Sequence, residues 1–185
     1  AYEVYYFLEN GHIKDTATYK ALRKKVAEIG VPTILLKRGM NINLGDGVVL
    51  DILYPDRDVS RVSDTNDSSV VAKLSYKGHS FLFTGDATTR VEGRVISYGA
   101  ENIASEILKL GHHGSRTSTG AAFLAAVRPA YAVISAGAGN QYGHPHPQVV
   151  ARVLAGEVKL LRTDQNGRAT FLIGRGGEMT IETQK

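Results

Sequence analysis

A chain of 185 residues, 43% hydrophobic and 22% charged, fits one globular domain with a full core. Its 0 cysteines exclude disulfides and thiolate metal centres, and no apolar stretch approaches the ~18 residues of a membrane span, so a soluble polypeptide without a membrane segment is expected. A net charge of +4 and a pI near 9.3 allow an anionic partner without requiring one.

In chain order, YEVYYFL (2–8) predicts a first strand. In DTATYKALRKKVAEIG (15–30), Tyr19, Leu22, Val26 and Ile29 share one helical face, with Asp15 or Thr16 as N-cap and Gly30 just past the end. PTILLKRG (32–39) predicts another strand. INLGDGVVLDILYP (42–55) predicts two short strands joined through Gly45-Asp46-Gly47 and closed by Pro55. The polar stretch from Asp56 to Ser68 is expected to be a solvated loop. SVVAKLSYKGHSFLFTGD (69–86) predicts a hairpin turning at Lys77-Gly78, whose second arm delivers Asp86 at a strand end.

A helix from Thr88 to Tyr98 leads to ILKLGHHGSRTS (107–118). Here a strand, Ile107 to Leu110, runs into two histidines held between Gly111 and Gly114, where the backbone can turn sharply and admit a close neighbour. A helix over TGAAFLAAV, a buried strand AYAVISAG and the loop NQYGHPHPQ precede another helix, QVVARVLAG. VKLLRTDQNGRATFLI (158–173) predicts a hairpin turning at Asn166-Gly167, and EMTIET a last strand.

Strands alternating with helices, plus several hairpins, imply an α/β protein with mixed sheets. Asp86, His112, His113, His144 and His146 all fall just after strands or in strand-to-helix loops, where ligands bind in such folds. His12 and His79 read as loop and turn residues without partners. An oxygen- and nitrogen-rich set with no sulfur suits Zn²⁺, Mn²⁺ or Fe.

SSVVAKLSYKGHSFLFTGD, LKLGHHGSRTS and YAVISAGAGNQYGHPHPQVV together resemble the metallo-β-lactamase-fold domain of the ComEC-type DNA-internalisation competence proteins. The resemblance implies an αββα sandwich of two mixed sheets and a site for two divalent ions, Zn or Mn, along one edge. It also implies an early His-x-His-x-Asp-His motif, which this sequence does not contain. The expectation is therefore a single domain over 1–185 that lacks its first strands and first metal motif. On that reading it binds little or no metal and is inactive by itself. Its exposed apolar side would be covered by a second copy, as a dimer, or by a separate N-terminal piece.

Carried over by motif, Asp86 matches the bridging aspartate, and one of His112 and His113 matches a later metal ligand. On an extended backbone, neighbours point to opposite sides, so the other histidine is expected to face substrate. His144 and His146 flank Pro145 and read either as proton donors to a leaving oxygen or as residues leading into the helix at Pro147. Asn66, Ser68 and Ser69 match the N-x-S-S approach to the hairpin. Ser115 and Arg116, with Thr117, suit phosphate binding. Arg90, Arg94 and Arg152 read as helix-face residues able to follow a nucleic-acid backbone. The implied function is a metal-dependent phosphodiesterase, a nuclease acting on single-stranded DNA during uptake, beside a membrane channel domain in the parent protein. Two alternatives stand: hydrolysis of small phosphoesters or lactones, and non-catalytic nucleic-acid binding.

Overall fold

The computed structural model describes residues 3–185. The chain order begins β1 (Phe7–Glu9), α1 (Ala17–Glu28), β2 (Thr33–Leu35), β3 (Asn41–Gly45), β4 (Val48–Tyr54), β5 (Val71–Tyr76) and β6 (His79–Phe83). It continues with α2 (Thr89–Ser97), α3 (Ala100–Ile103), β7 (Ile107–Lys109), α4 (Ala121–Val127) and β8 (Tyr131–Ile134). The last elements are α5 (Pro147–Leu154), β9 (Lys159–Arg162), α6 (Thr163–Asn166), β10 (Ala169–Ile173) and β11 (Met179–Thr183).

Seven strands, β3 to β9, lie side by side in sequence order. The β3-β4-β5-β6 half is antiparallel, and its β5–β6 hairpin turns at Lys77-Gly78, where both residues have positive φ as a tight primed turn requires. The β6-β7-β8-β9 half is parallel, each pairing joined by a helical crossover. Alternation decides which side chains enter the core. Leu82, Leu108, Ala132 and Ile134 point to one face, where Val91 and Val95 of α2, Ile103, Phe123 and Val127 of α4, and Val149 and Val153 of α5 cover them. On the opposite face Phe171 of β10 packs edge-on against Phe81 and Tyr131 at 5.7 and 6.0 Å. Leu36, Ile52 and Ala72 make a small second cluster.

Mixed sheet and helices are compatible with an αββα sandwich. Beside the seven-stranded sheet, however, stand two ribbons of two strands each, β1-β2 (parallel) and β10-β11 (antiparallel). The predicted hairpin at Asn166-Gly167 does not form. Instead Arg162 pairs with Asp164 at 2.6 Å, the Arg162 N–H donates to Asn166 Oδ1, and Thr163–Asn166 close into a helical turn. β9 finds its partner in β8, and β10 crosses to pair with β11. The first strand is shorter than predicted: it spans only Phe7–Glu9, Val4, Tyr5 and Tyr6 being exposed, while Tyr2 lies outside the described residues.

Thr16 caps α1 by accepting from the Tyr19 N–H at 3.2 Å, but only Val26 of its predicted apolar face is buried; Leu22 and Ile29 are exposed. The stretch from Asp56 to Ser68 is not simply solvated, since Val59, Asp67 and Ser68 are buried. It anchors the chain around β1: Asn10 bonds Ser68, and His12 Nδ1 lies 3.0 Å from the Val59 carbonyl. His79 is likewise partnered, its two ring nitrogens 2.6 Å from Glu106 Oε2 and 2.7 Å from the Gly177 carbonyl. That arrangement raises its imidazole pKa, chiefly through the Glu106 hydrogen bond.

Candidate functional site

Strands β6, β7 and β8 run parallel, so their carboxyl ends open on one rim. The turn after β6 presents Asp86, whose N–H donates to Ser69 Oγ at 3.1 Å. The His112 N–H donates to the Gly85 carbonyl at 3.0 Å, joining the loop after β7 to the turn after β6. Two glycines make room for neighbours here. A Cβ on Gly114, at φ +81°, would stand 2.7 Å from Pro145 Cβ, and one on Gly111 would stand 3.0 Å from Ser118 Cβ.

His112 and His113 are not on extended backbone: their φ values are 47° and 56°, in the left-handed region. Their rings nevertheless part. His113 Nδ1 lies 2.7 Å from the Ser135 carbonyl, which fixes its N–H there and leaves Nε2 facing Asp86 Oδ1 at 3.8 Å. His112 turns toward His144, ring centroids 5.5 Å apart, with its Nδ1 3.5 Å from Thr117 Oγ1. His113 is thus on the carboxylate side and His112 on the groove side.

His144 and His146 also separate. His144 joins the groove, where burial first, and then the charges of His112, His113 and His146, hold its imidazole below the ordinary range. His146 caps α5, its Nδ1 accepting from the Gln148 N–H at 3.4 Å ahead of Pro147 in the first turn. The helix-leading reading therefore describes His146.

The groove has a volume of about 730 Å³ and is lined by Asn66, Asp67, Arg90, His112, Ser115, Thr117, Tyr142 and His144, among others. A second cavity of about 420 Å³, bounded by His113, Ser135, Asn140 and Thr163, lies beside it. Tyr142 and His144 line both. Ser68 and Ser69 line neither. The Ser68 hydroxyl donates to the Thr65 carbonyl at 2.6 Å, and Ser69 supports Asp86.

The groove's anchored cation is Arg90; Arg116, between the lining residues Ser115 and Thr117, is exposed and lines neither cavity. Arg90 Nη1 donates to buried Asp67 at 2.8 Å while its side chain stays 73% exposed, and Thr88 Oγ1 donates to the same carboxylate. Arg94 and Arg152 are internal ties. Arg94 makes a two-pronged pair with Asp56, and Arg152 donates to the Thr119 carbonyl at 2.7 Å. Sequence patterns could not single out Asp67, because a lone aspartate in a polar stretch carries no sign of burial. Lys109 escaped notice for a similar reason. Burial lowers its ammonium pKa, with Asp86 pulling the other way, and its Nζ donates to the Leu110 carbonyl.

Asp86 and His113 offer one oxygen and one nitrogen to a divalent ion. Among the described residues no group of three or more His, Asp or Glu side chains converges on one point. Since a metal centre takes four or more ligands, the residues present do not by themselves fit one.

The fold and rim define an α/β domain with a histidine- and hydroxyl-rich cleft at the ends of parallel strands. No protein-family model matches the chain. Competence protein ComA of Neisseria gonorrhoeae is 43% identical over 132 residues, 71% of this chain and 19% of that protein. ComE operon protein 3 of Bacillus subtilis (strain 168) is 36% identical over 158 residues, 85% of this chain and 19% of that protein. Recombination protein 2 of Haemophilus influenzae is 36% identical over 107 residues. The chain belongs to the ComEC-type competence proteins, and it spans about a fifth of the length of the first two relatives.

Proposed function

We propose that the rim is the phosphodiester-handling site of a hydrolase acting on single-stranded DNA during uptake, built on a metallo-β-lactamase-type sandwich. The observation that carries this reading is the Asp86 carboxylate facing His113 Nε2 at 3.8 Å, with the other ring nitrogen fixed by Ser135. A carbonyl-fixed imidazole beside a carboxylate is what a metal-assisted site uses to hold its ligands in orientation. Further donors must join the two before an ion is held.

The chain's own residues have roles in binding. Arg90, fixed by Asp67, pairs with a phosphate at the groove wall. Ser115 and Thr117 offer hydroxyls to its oxygens. His144, whose imidazole pKa is held below the ordinary range by burial, faces the groove, where it can hydrogen-bond a phosphoryl oxygen or donate a proton to a leaving one. Homology to competence proteins supports DNA as the polyanion.

The test uses the natural full-length polypeptide, end-labelled single-stranded DNA, and added Mn²⁺ or Zn²⁺ against chelator. Metal-dependent cleavage that falls at least ~100-fold in Asp86→Asn is expected. Turnover of a lactone or small phosphoester instead would indicate the small-substrate hydrolase. DNA binding without cleavage, unchanged by Asp86→Ala, would indicate a binding module.

A further inference from the structure

Tyr142 is 72% exposed, yet it is not on a loose loop. The Asn140 amide staples that loop from inside. Its Oδ1 accepts from the Tyr142 N–H at 3.2 Å and the His144 N–H at 3.1 Å, and its Nδ2 donates to the Gly137 and His144 carbonyls. Pro145 packs against Gly114 at the far end, and the His146 N–H donates to the Gly114 carbonyl at 2.9 Å. The ring of Tyr142 lies roughly parallel to that of His144, 25° between planes and 6.2 Å between centroids. It forms part of the wall shared by the two cavities.

The ring is carried on a fixed loop and stands open to a covering group. Within a site that takes a phosphate at Arg90, the cover that fits a flat, neutral aromatic face is the base attached to that backbone. We propose that Tyr142 is a stacking platform for an unpaired nucleobase, placed where the strand passes from the larger cavity into the smaller. Paired bases keep their faces inside the duplex, so such a platform selects single strands and tolerates any base. Tyr142 then sets strand selectivity, a role separate from the phosphate contacts. This inference rests on the rim being a nucleic-acid site.

The test is fluorescence-anisotropy binding at low salt, in chelator and again with Ca²⁺. The probes are a short oligo-dT strand, an abasic strand of equal charge, and a duplex. The intact protein is expected to bind the base-bearing strand about 10-fold more tightly than the abasic one, since stacking one base is worth ~1–3 kcal/mol. Tyr142→Ala should reduce that preference to less than ~2-fold while leaving abasic binding and the melting temperature unchanged, and Tyr142→Trp should restore it. Equal binding of base-bearing and abasic strands by the unmutated protein would overturn the stacking role alone. Binding of no strand at all would overturn the nucleic-acid reading, and the platform with it.

Discussion

The parallel half of the main sheet and the amino-terminal β1-α1-β2 unit are both built from strands and a connecting helix, but they are held together by different forces. In the parallel half Leu82, Leu108, Val127, Ala132, Ile134, Val149 and Val153 are all 0% exposed. In the amino-terminal unit Val26 is the one buried apolar side chain of α1, while Tyr5, Tyr6, Ile13, Leu22, Ile29 and Leu35 face outward. That unit is held by polar threads: Asn10 and His12 to the 56–69 stretch, and Arg23 to Glu9 at 2.6 Å. A site needing sub-ångström placement is better built on the first kind of support, and Asp86, His113 and His144 all stand on it.

If that contrast is right, Leu108→Ala should be the most damaging change. It empties a site under the His112-His113 loop, and a loss of ~3 kcal/mol is expected, or a melting temperature lower by roughly 6–12 °C. A loss below ~1 kcal/mol would mean the core is less tightly filled than its burial indicates. Gly114→Ala comes next, at about 2 kcal/mol, since the new methyl meets Pro145 in a left-handed backbone. Its signature is local: the ring resonances of His144 and Tyr142 should move in NMR spectra while those of Tyr5 and Tyr6 stay put.

Just after β4, Asp56 ties the antiparallel strands to the helix that follows β6, and Arg94 and Tyr98 both reach it at 2.6 Å. Burial alone would raise this carboxyl, but those hydrogen bonds bring it below its ordinary 3.8. A lowered carboxyl adds stability above its unfolded value and loses it as pH falls through the folded one. Arg94→Met should therefore cost about 1.5–2 kcal/mol at pH 7 and flatten the acid limb of the stability curve below pH 3.8, measured by denaturant melts at several pH values. Smallest of all, Leu22→Ala on the exposed face of α1 should change stability by less than ~0.5 kcal/mol. A larger loss would show that this face is covered in solution and narrow the contrast.

Much of the fold was legible because it is written locally. Alternation in SVVAKLSYKGHSFLF, a Lys-Gly turn and a proline in the first turn of α5 each act within a few residues, and each element formed where expected. The clustering of Asp86 with the glycine-held histidines followed from strand order. What failed was written at a distance. Asn166-Gly167 has hairpin chemistry, but Thr163–Asn166 close into a helical turn and β10 pairs with β11, a partner beyond the turn in sequence. His79 looked idle because Glu106 and Gly177 lie 27 and 98 residues further along the chain. Arg94 and Arg152 looked like solvent-facing cations because their partners are likewise remote in sequence. The fork of His144 and His146 turned on the cap of α5, which favours one ring for the helix and the other for the groove.

The split sheet also sets an order of events in time. Antiparallel neighbours β3 to β6 are joined by short connections, except across the 56–69 stretch, and the hairpin at Lys77-Gly78 closes with little loss of chain entropy. Each parallel pairing beyond β6 must first close a crossover on the order of 25 residues, a slower step. As the chain leaves the ribosome, β6 is made before β7, and its open edge is the template for β7, as β7 is for β8 and β8 for β9. Asp86 is therefore in place early, and the histidines are brought to it one strand at a time. A chain stalled between those additions presents the unpaired edge of β6 or β7 to its surroundings, so the same stacking order that assembles the rim also marks where misassembly begins.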